Sequence, residues 1–314
     1  MAEGAPAVYL GVDGGGSTVR AVVVDAHLTL LGEASGPAAN PNTLGRDEAA
    51  ARIVAALRAA LASAGAAPEQ ARAVGLGVAG ADAAHSADWL RAVAAAAAPR
   101  AHAVLSSDYE IALVGAHGAR QGLLLLAGTG SLAYGVNAAG ASALAGAWGY
   151  LLGDEGGGYW LGLAGLRAVA RADDGRGRPT ALTAALPGAL GLDSSRGALV
   201  TWLYAAPRVS EVARLAPLVL DCAAHGDRVA GGLVAAAARE LAQAARAVRR
   251  RLRLDASAPP AFSGSLLTTD TPLRAEVCHL LGIRAPVVPR YPPVMGAALL
   301  ARAAASPHGE GAGG

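Results

Sequence analysis

The sequence contains no lysine: all 26 basic residues are arginine. A Walker-type phosphate loop needs its lysine on the phosphates, so that class is excluded. Enzymes that work through a lysine Schiff base are excluded with it. Cysteine is nearly absent. Cys222 and Cys278 stand far apart, fit a reducing compartment, and cannot supply a four-cysteine zinc or iron–sulfur site within one chain. The seven histidines show no H-x-x-x-H pairing, which argues against a zinc site, and no G-x-S-x-G elbow appears. Charged residues are only 16 % and the net charge is +2, which gives no strong pull toward nucleic acid. No uncharged apolar run is long enough to span a membrane. The opening MAEGAPAVYLGVDGGG lacks a basic leader region and reads directly into a strand, so a soluble cytoplasmic protein is expected.

What remains is a globular composition, with 53 % hydrophobic residues in 314, enough for two domains. Residues 7–13 (AVYLGVD) read as a buried strand, GGGST as a loop, VRAVVVD as a second strand and HLTLLGEAS as a third. Strands on both sides of the glycines make a hairpin, whereas the dinucleotide fingerprint needs a helix directly after them. A helix over about 47–64, a strand over 73–80, a helix over 87–98, a strand over 102–108 and a short helix over 109–117 follow. Then GLLLLAGTGSLAYGVN (122–137) repeats the plan of strand, glycine-and-hydroxyl loop and strand, which suggests a duplicated unit. Beyond it come the loop GAWGYLLGDEGGGYW, a helix from about 158, a wholly helical stretch and a long amphipathic helix over 227–254. PPAFSGSLLTT (259–269) reads as a strand into a small-residue loop, and a short strand and final helix close the chain.

Several residues carry candidate chemistry. Glycines let backbone N–H groups approach an anion, so Gly15 and Gly16 with Ser17 and Thr18 read as a phosphate loop, with a plain hairpin turn as the alternative. Asp13 would repel phosphate directly and suits Mg²⁺, reached through water. The second loop, Gly128, Thr129, Gly130 and Ser131, offers hydroxyls to nucleotide phosphates, or is a second glycine turn. Asp108, at the end of a strand, could take a proton from a substrate hydroxyl, or cap the helix that follows. Asp154 and Glu155 precede glycines at a helix start, where they could cap. Trp148 and Gly149 lie beside them, and an aromatic face with carboxylates suits a sugar; Trp148 is equally a core residue when taken alone. Asn40 and Asn42 could donate to and accept from sugar hydroxyls, or form turns. The small residues around Gly264 and Ser265 would let a flat adenine lie on backbone, or make a simple turn.

Taken in order, VDGGGST, ANPNTLG, GLGVAG, SSD, LLAGTGS, GAWGYLLGDEGGGYW, FSGS and PPVMGAALLA resemble the N-acetylglucosamine kinases of the BadF/BadG/BcrA/BcrD ATPase family, over nearly the whole chain. These belong to the sugar kinase, heat-shock ATPase and actin superfamily. The resemblance implies an α/β fold of two actin-like (ribonuclease H-like) domains, each a mixed sheet flanked by helices, around a nucleotide and sugar cleft that closes on sugar. It divides the chain into residues 1–117, joined by a C-terminal helix at about 293–305, then 118–292, with a disordered tail at 306–314.

The resemblance implies ATP and Mg²⁺ as cofactors and an amino sugar as substrate, phosphorylated on its 6-hydroxyl. Asp13, Gly15, Gly16, Ser17 and Thr18 would form the first phosphate loop, and Gly128, Thr129 and Gly130 the second. Gly264 and Ser265 would approach the adenosine. Asp108 would be the general base, and Asn40, Asp108, Trp148, Gly149 and Asp154 would line the sugar. The resemblance suggests a homodimer, and the net charge and the lack of a long apolar run argue against nucleic acid and membrane as partners. Glucosamine and N-acetylmuramate kinases belong to the same group. On other grounds stand a nonenzymatic sugar sensor and the ATP-driven activator of a radical dehydratase; the latter uses cysteines near the end of its first domain, well before Cys222 and Cys278.

Overall fold

The computed structural model describes residues 6–81, 85–193, 195–205, 208–255 and 257–305. The tail at 306–314 lies outside them. The chain forms two compact units, one from Met1–Gln121 with Val288–Gly314, the other from Gly122–Val287.

The first unit opens with a meander: β1 (Val8–Gly14), β2 (Thr18–Val24) and β3 (Leu30–Pro37). β3 starts three residues later than its sequence suggests. Asp25 Oδ1 accepts from the N–H groups of His27 and Thr29, both at 2.8 Å, and Leu28 turns left-handed at φ 66°, so 25–29 is a side-chain-capped turn. A short helix α1 (Pro41–Leu44) occupies what reads as a polar loop, and α2 (Arg46–Ser63) follows. Then come β4 (Ala71–Val78), α3 (Ala87–Ala97), β5 (His102–Ser106) and α4 (Asp108–His117). The sheet order is β3-β2-β1-β4-β5, with β1 antiparallel to β2 and parallel to β4.

The second unit repeats the order. β6 (Gly122–Ala127), β7 (Ser131–Val136) and β8 (Ser142–Gly146) form the meander, and β9 (Ala261–Ser263) pairs parallel to β6. β8 is not visible in the sequence because SALAG is built from small residues of weak strand preference. Between β8 and β9 run α5 (Gly158–Asp173), α6 (Leu182–Ala189), α7 (Arg196–Tyr204), α8 (Val209–Ala213), α9 (Ala216–Ala224) and α10 (Arg228–Leu252). Asp227 caps α10, its Oδ1 accepting from Val229 and Ala230 N–H at 2.9 and 2.8 Å. Half of the buried residues of α10 are alanine (Ala230, Ala237, Ala238, Ala242, Ala245), which lets it lie close over β6 and β7. After β9 come α11 (Ser265–Thr268) and α12 (Pro272–Leu281), so the strand expected within 259–269 passes into helix where a small-residue loop was expected. The strand expected near the C-terminus is a single bridge, Ala261 to Val287.

α13 (Pro293–Ala304) completes the first unit. The two faces of that sheet are covered differently. Leu10, Val12, Val19 and Ala21 pack with Ile53, Leu57 and Leu61 of α2, while Val22 and Val24 meet Val294, Met295 and Ala298 of α13. α13 runs so close to the sheet that a side chain on Gly11 would strike Val294 O, and one on Gly75 would strike Ala297 O. These are backbone atoms that cannot swing aside. Gly75→Ala is therefore expected to lower stability by about 1–3 kcal/mol through forced overpacking, read by urea denaturation with an unchanged m-value. None of the described helices is long and apolar enough to cross a membrane.

Candidate active site

In the first unit the candidate residues gather at the β1–β2 hairpin and the ends of β4 and β5. β1 hands over to β2 through Gly15, Gly16 and Ser17. Gly15 N–H donates to Thr18 O at 2.8 Å, which closes the turn. The loop is anchored at its base, since Ala79 N–H donates to Gly14 O (2.8 Å) and Ala39 N–H to Gly15 O (3.2 Å). Gly16, Ser17 and Thr18 are exposed. Among the described residues the N–H groups of Gly16 and Ser17 have no partner within the fold. The hairpin is thus a rigid base with an open tip, a geometry that suits an anion.

Asp13 lies at the end of β1, paired with Arg20 across β2 and with Gly77 on β4. Burial, then the nearby charge of Asp108, raise its carboxyl to about 6, against the opposing pull of Arg20. Arg20 does not stand out in the sequence, yet the antiparallel register of the hairpin alone would have placed it opposite Asp13.

Asp108 settles one of the open readings. β5 ends at Ser106, two residues earlier than expected, and the cap of α4 is Ser107, whose Oγ accepts from Glu110 N–H at 3.1 Å. Asp108 is the first helical residue and not the cap. It is half-buried, and burial raises its carboxyl above the ordinary range against the N–H groups of Tyr109 and of Asp108 itself. Its neighbour Glu110 is drawn elsewhere, to Ser106 Oγ (2.8 Å) and Arg120 Nε (2.7 Å). Two carboxylates, Asp13 and Asp108, therefore share one partly desolvated place at the strand ends.

Asn40 does form a turn: its Oδ1 accepts from Asn42 N–H at 2.9 Å and caps α1. The Asn40 and Asn42 amides lie against Gly80, which has φ +79°, and a side chain at Gly80 would strike Asn40 Oδ1. The Asn40 oxygen is committed, and among the described residues its amide nitrogen has no partner, whereas Asn42 is exposed.

In the second unit the loop Gly128–Thr129–Gly130 joins β6 to β7. Its carbonyls are held by the start of α5: Gly158 N–H donates to Gly128 O (2.7 Å) and Tyr159 N–H to Thr129 O (3.0 Å). Glycines at 157 and 158 allow this, since side chains there would collide with Gly130 and Gly128 O. Thr129 is the exposed tip. Gly264, at φ +80°, packs on the backbone of Ala127 and Gly128, so the FSGS and AGTGS loops lie side by side, with Ser265 opening α11.

Ser131 departs from its reading as a phosphate-binding hydroxyl. It is buried, and its Oγ donates to Glu155 O at 2.7 Å. Its N–H faces the carboxylate of Asp154, which lies directly against Gly130. Asp154 does not cap α5; the cap position is Gly157, and Asp154 sits left-handed at φ 57°. Burial raises its carboxyl, Ser131 N–H opposes, and the Glu155 charge adds to the rise. Trp148 is not a core residue: it is 73 % exposed. Gly149, at φ +79°, starts a turn in which Gly153 N–H donates to Gly149 O at 2.8 Å. Nothing in the sequence marks Ser131 as an internal partner, because its hydroxyl target is a main-chain carbonyl 24 residues on.

Among the described residues no three His, Cys, Asp or Glu side chains form a metal cluster. The Asp13–Asp108 pair fits a cation that keeps most of its waters and takes only one or two carboxylates, the habit of Mg²⁺.

Comparison with known proteins agrees with the resemblance read from the motifs. The chain is 30 % identical over 240 residues to an N-acetylmuramic acid/N-acetylglucosamine kinase of Clostridium acetobutylicum, covering 76 % of this chain and 78 % of that protein. It is 29 % identical to an N-acetyl-D-glucosamine kinase of Dictyostelium discoideum, covering 79 % and 81 %. A crystal structure from Chromobacterium violaceum, named as a candidate N-acetylglucosamine kinase, matches with a TM-score of 0.76 at 30 % identity, covering 94 % of this chain and 99 % of that one. The fold is the two-domain α/β architecture of sugar kinases and actin-like ATPases. The BadF/BadG/BcrA/BcrD ATPase family matches residues 10–301, and the chain belongs to that family.

Proposed function

We propose that the protein is a kinase that transfers the γ-phosphoryl group of ATP to the 6-hydroxyl of N-acetylglucosamine in the cytoplasm. The observation that carries this reading is Asp108. It is a half-buried carboxylate at a strand end, relieved of capping by Ser107 and raised above its ordinary range. A raised carboxylate is a better proton acceptor, which is what a hydroxyl nucleophile needs. The substrate follows from the relatives, two of which are named for N-acetylglucosamine.

In this reading the exposed tip at Gly16, Ser17 and Thr18, with Gly15 beneath it, binds phosphate oxygens through N–H and hydroxyl groups. Gly128, Thr129 and Gly130 do the same from the second unit, and Gly264 and Ser265 leave room for adenine. Asp13 would hold Mg²⁺. Mg²⁺, when bound, neutralises charge developing on the phosphoryl oxygens. Asn40, through its amide nitrogen, and Trp148, Gly149 and Asp154 contact the sugar. Asp154 in addition steadies the second loop by accepting from Ser131 N–H. As the sugar oxygen attacks the γ-phosphorus, its proton passes to Asp108 and ADP departs with the bonding pair; Asp108 then returns the proton to solvent. Positioning and preorganised charge supply most of the acceleration.

ADP release, measured with N-acetylglucosamine, glucosamine, N-acetylmuramate and glucose as acceptors, tests the reading. N-acetylglucosamine is expected to give the highest kcat/KM. Preference for another amino sugar would correct the substrate, and no sugar-dependent release at all would overturn the reading.

A further inference from the structure

A groove of about 550 Å³ in the second unit is lined, beside Ser131 of the second loop and Glu155 next to Asp154, by residues given no role above. One wall is α10, which presents Glu240, Gln243, Arg246 and Arg250 on a strip spaced by three and four residues. The other is the start of β7 and the end of β8, with Ser131 and Glu155. Gly156 packs on Ala237 O and Leu241, which places Glu155 beside the Glu240 turn of α10. At the far end, Arg251 Nη1 donates to Leu144 O at 3.1 Å and fixes the same helix against β8.

The groove is therefore polarised along its length. Two carboxylates, Glu155 and Glu240, occupy one end, and two guanidiniums, Arg246 and Arg250, the other. Among the described residues none of the four forms an ion pair. Arg246 spends one N–H on Leu280 O, and its other donors remain available. At a rise of about 1.5 Å per residue, the Cα atoms of Arg246 and Arg250 stand about 9 and 15 Å along the axis from that of Glu240. The opposite charges, unpaired among the described residues, sit on separate turns of the helix. They match a ligand with an anion at one end and hydroxyl or ammonium donors at the other, about the length of one or two sugar rings. Arginine recognises phosphate bidentately, and carboxylates accept from hydroxyls.

We propose that this groove binds a sugar phosphate, with the phosphate on Arg246 and Arg250, the sugar's donors on Glu155 and Glu240, and Gln243 between them. The ligand class is read from the groove alone. Its consequence for turnover rests on the kinase reading, under which a sugar phosphate is the product. The link to the active site is short: Glu155 O accepts from Ser131 Oγ, and Ser131 borders Gly130 of the second loop. A ligand that shifts Glu155 bears on that loop and lowers kcat without competing with sugar.

The test is calorimetric titration of the full chain with glucosamine 6-phosphate and with N-acetylglucosamine 6-phosphate, in saturating N-acetylglucosamine and a non-hydrolysable ATP analogue. Binding of at least one of them is expected. It should weaken about tenfold or more in Arg250→Gln and in Glu240→Gln, since each removes one charged hydrogen-bonding partner. Inorganic phosphate should bind more weakly than the sugar phosphate, and initial-rate kcat and KM of both variants should match wild type. No binding by the wild type, undiminished binding by Arg250→Gln, or phosphate binding as tightly as the sugar phosphate would each overturn the proposal. Failure of the kinase reading shows separately, as absence of sugar-dependent ADP release, and leaves the Arg250-dependent binding measurable.

Discussion

Asp108→Asn is expected to lower kcat by about 10³-fold, within the range that a positioned general base contributes, while a non-hydrolysable ATP analogue still binds with near wild-type affinity. The substitution is close to isosteric and leaves the fold's own bonds in place, because the helix it begins is capped by Ser107 and not by Asp108. A collapse of turnover in that variant cannot then be attributed to a frayed α4. The thermal midpoint checks this directly and should not fall. Asp108 also raises Asp13 through its charge. Removing that charge should bring the Asp13 carboxyl down from about 6 toward its ordinary value, which carbon-detected NMR titration of the metal-free protein can follow. Near wild-type turnover in Asp108→Asn would sink the assignment of the base. Lost turnover with an unmoved Asp13 titration would show that the two carboxylates are not coupled.

What could be read from the sequence follows physical lines. The first hairpin was legible because valine-rich alternation stands on both sides of its glycines, and that pattern admits only strand. The second was legible from its leucine run ahead of a similar glycine-and-hydroxyl loop, and recognising the pair exposed the duplicated plan. β8 was not, because alanine and serine carry little strand preference and an edge strand is defined by its partner. α1 was hidden by its length: a single turn held by the Asn40 cap has no periodicity to detect. Among site residues, identity was readable and engagement was not. Whether Asp108 caps its helix, Asn40 makes a turn and Ser131 is an internal strut is in each case decided by hydrogen bonds to main-chain groups, whose position no side-chain pattern encodes. The glycines were ambiguous in the same way. Gly75 is required by the approach of α13, some 220 residues away in sequence. Gly16, with open space around it, is free for a ligand.

Asp13→Asn is expected to lower kcat/KM by about 100-fold, on the scale of losing an outer partner of a bound metal, and at the same time to make the metal-free protein more stable. The two effects share one cause. Asp13 is raised from 3.8 to about 6 because burial and Asp108 penalise its charged form. A group whose folded-state carboxyl titrates higher than in the unfolded chain contributes favourably when protonated. That contribution is complete below pH 3.8 and lost as pH rises through 6. At pH 8 the wild type thus carries a charge that the fold disfavours by about 1–3 kcal/mol, after allowance for partial solvent access. Asparagine cannot ionise and keeps the position neutral. Urea denaturation without Mg²⁺ should show the variant more stable at pH 8, with the gain shrinking as pH falls from 6 toward 4. Adding Mg²⁺ and ATP should reverse the order, since only the wild type has the carboxylate that the cation compensates. If the variant were instead less stable at pH 8, Asp13 would be holding the hairpin together through its pairing with Arg20. The strain assigned to a pair of neighbouring carboxylates would then have no place in the mechanism.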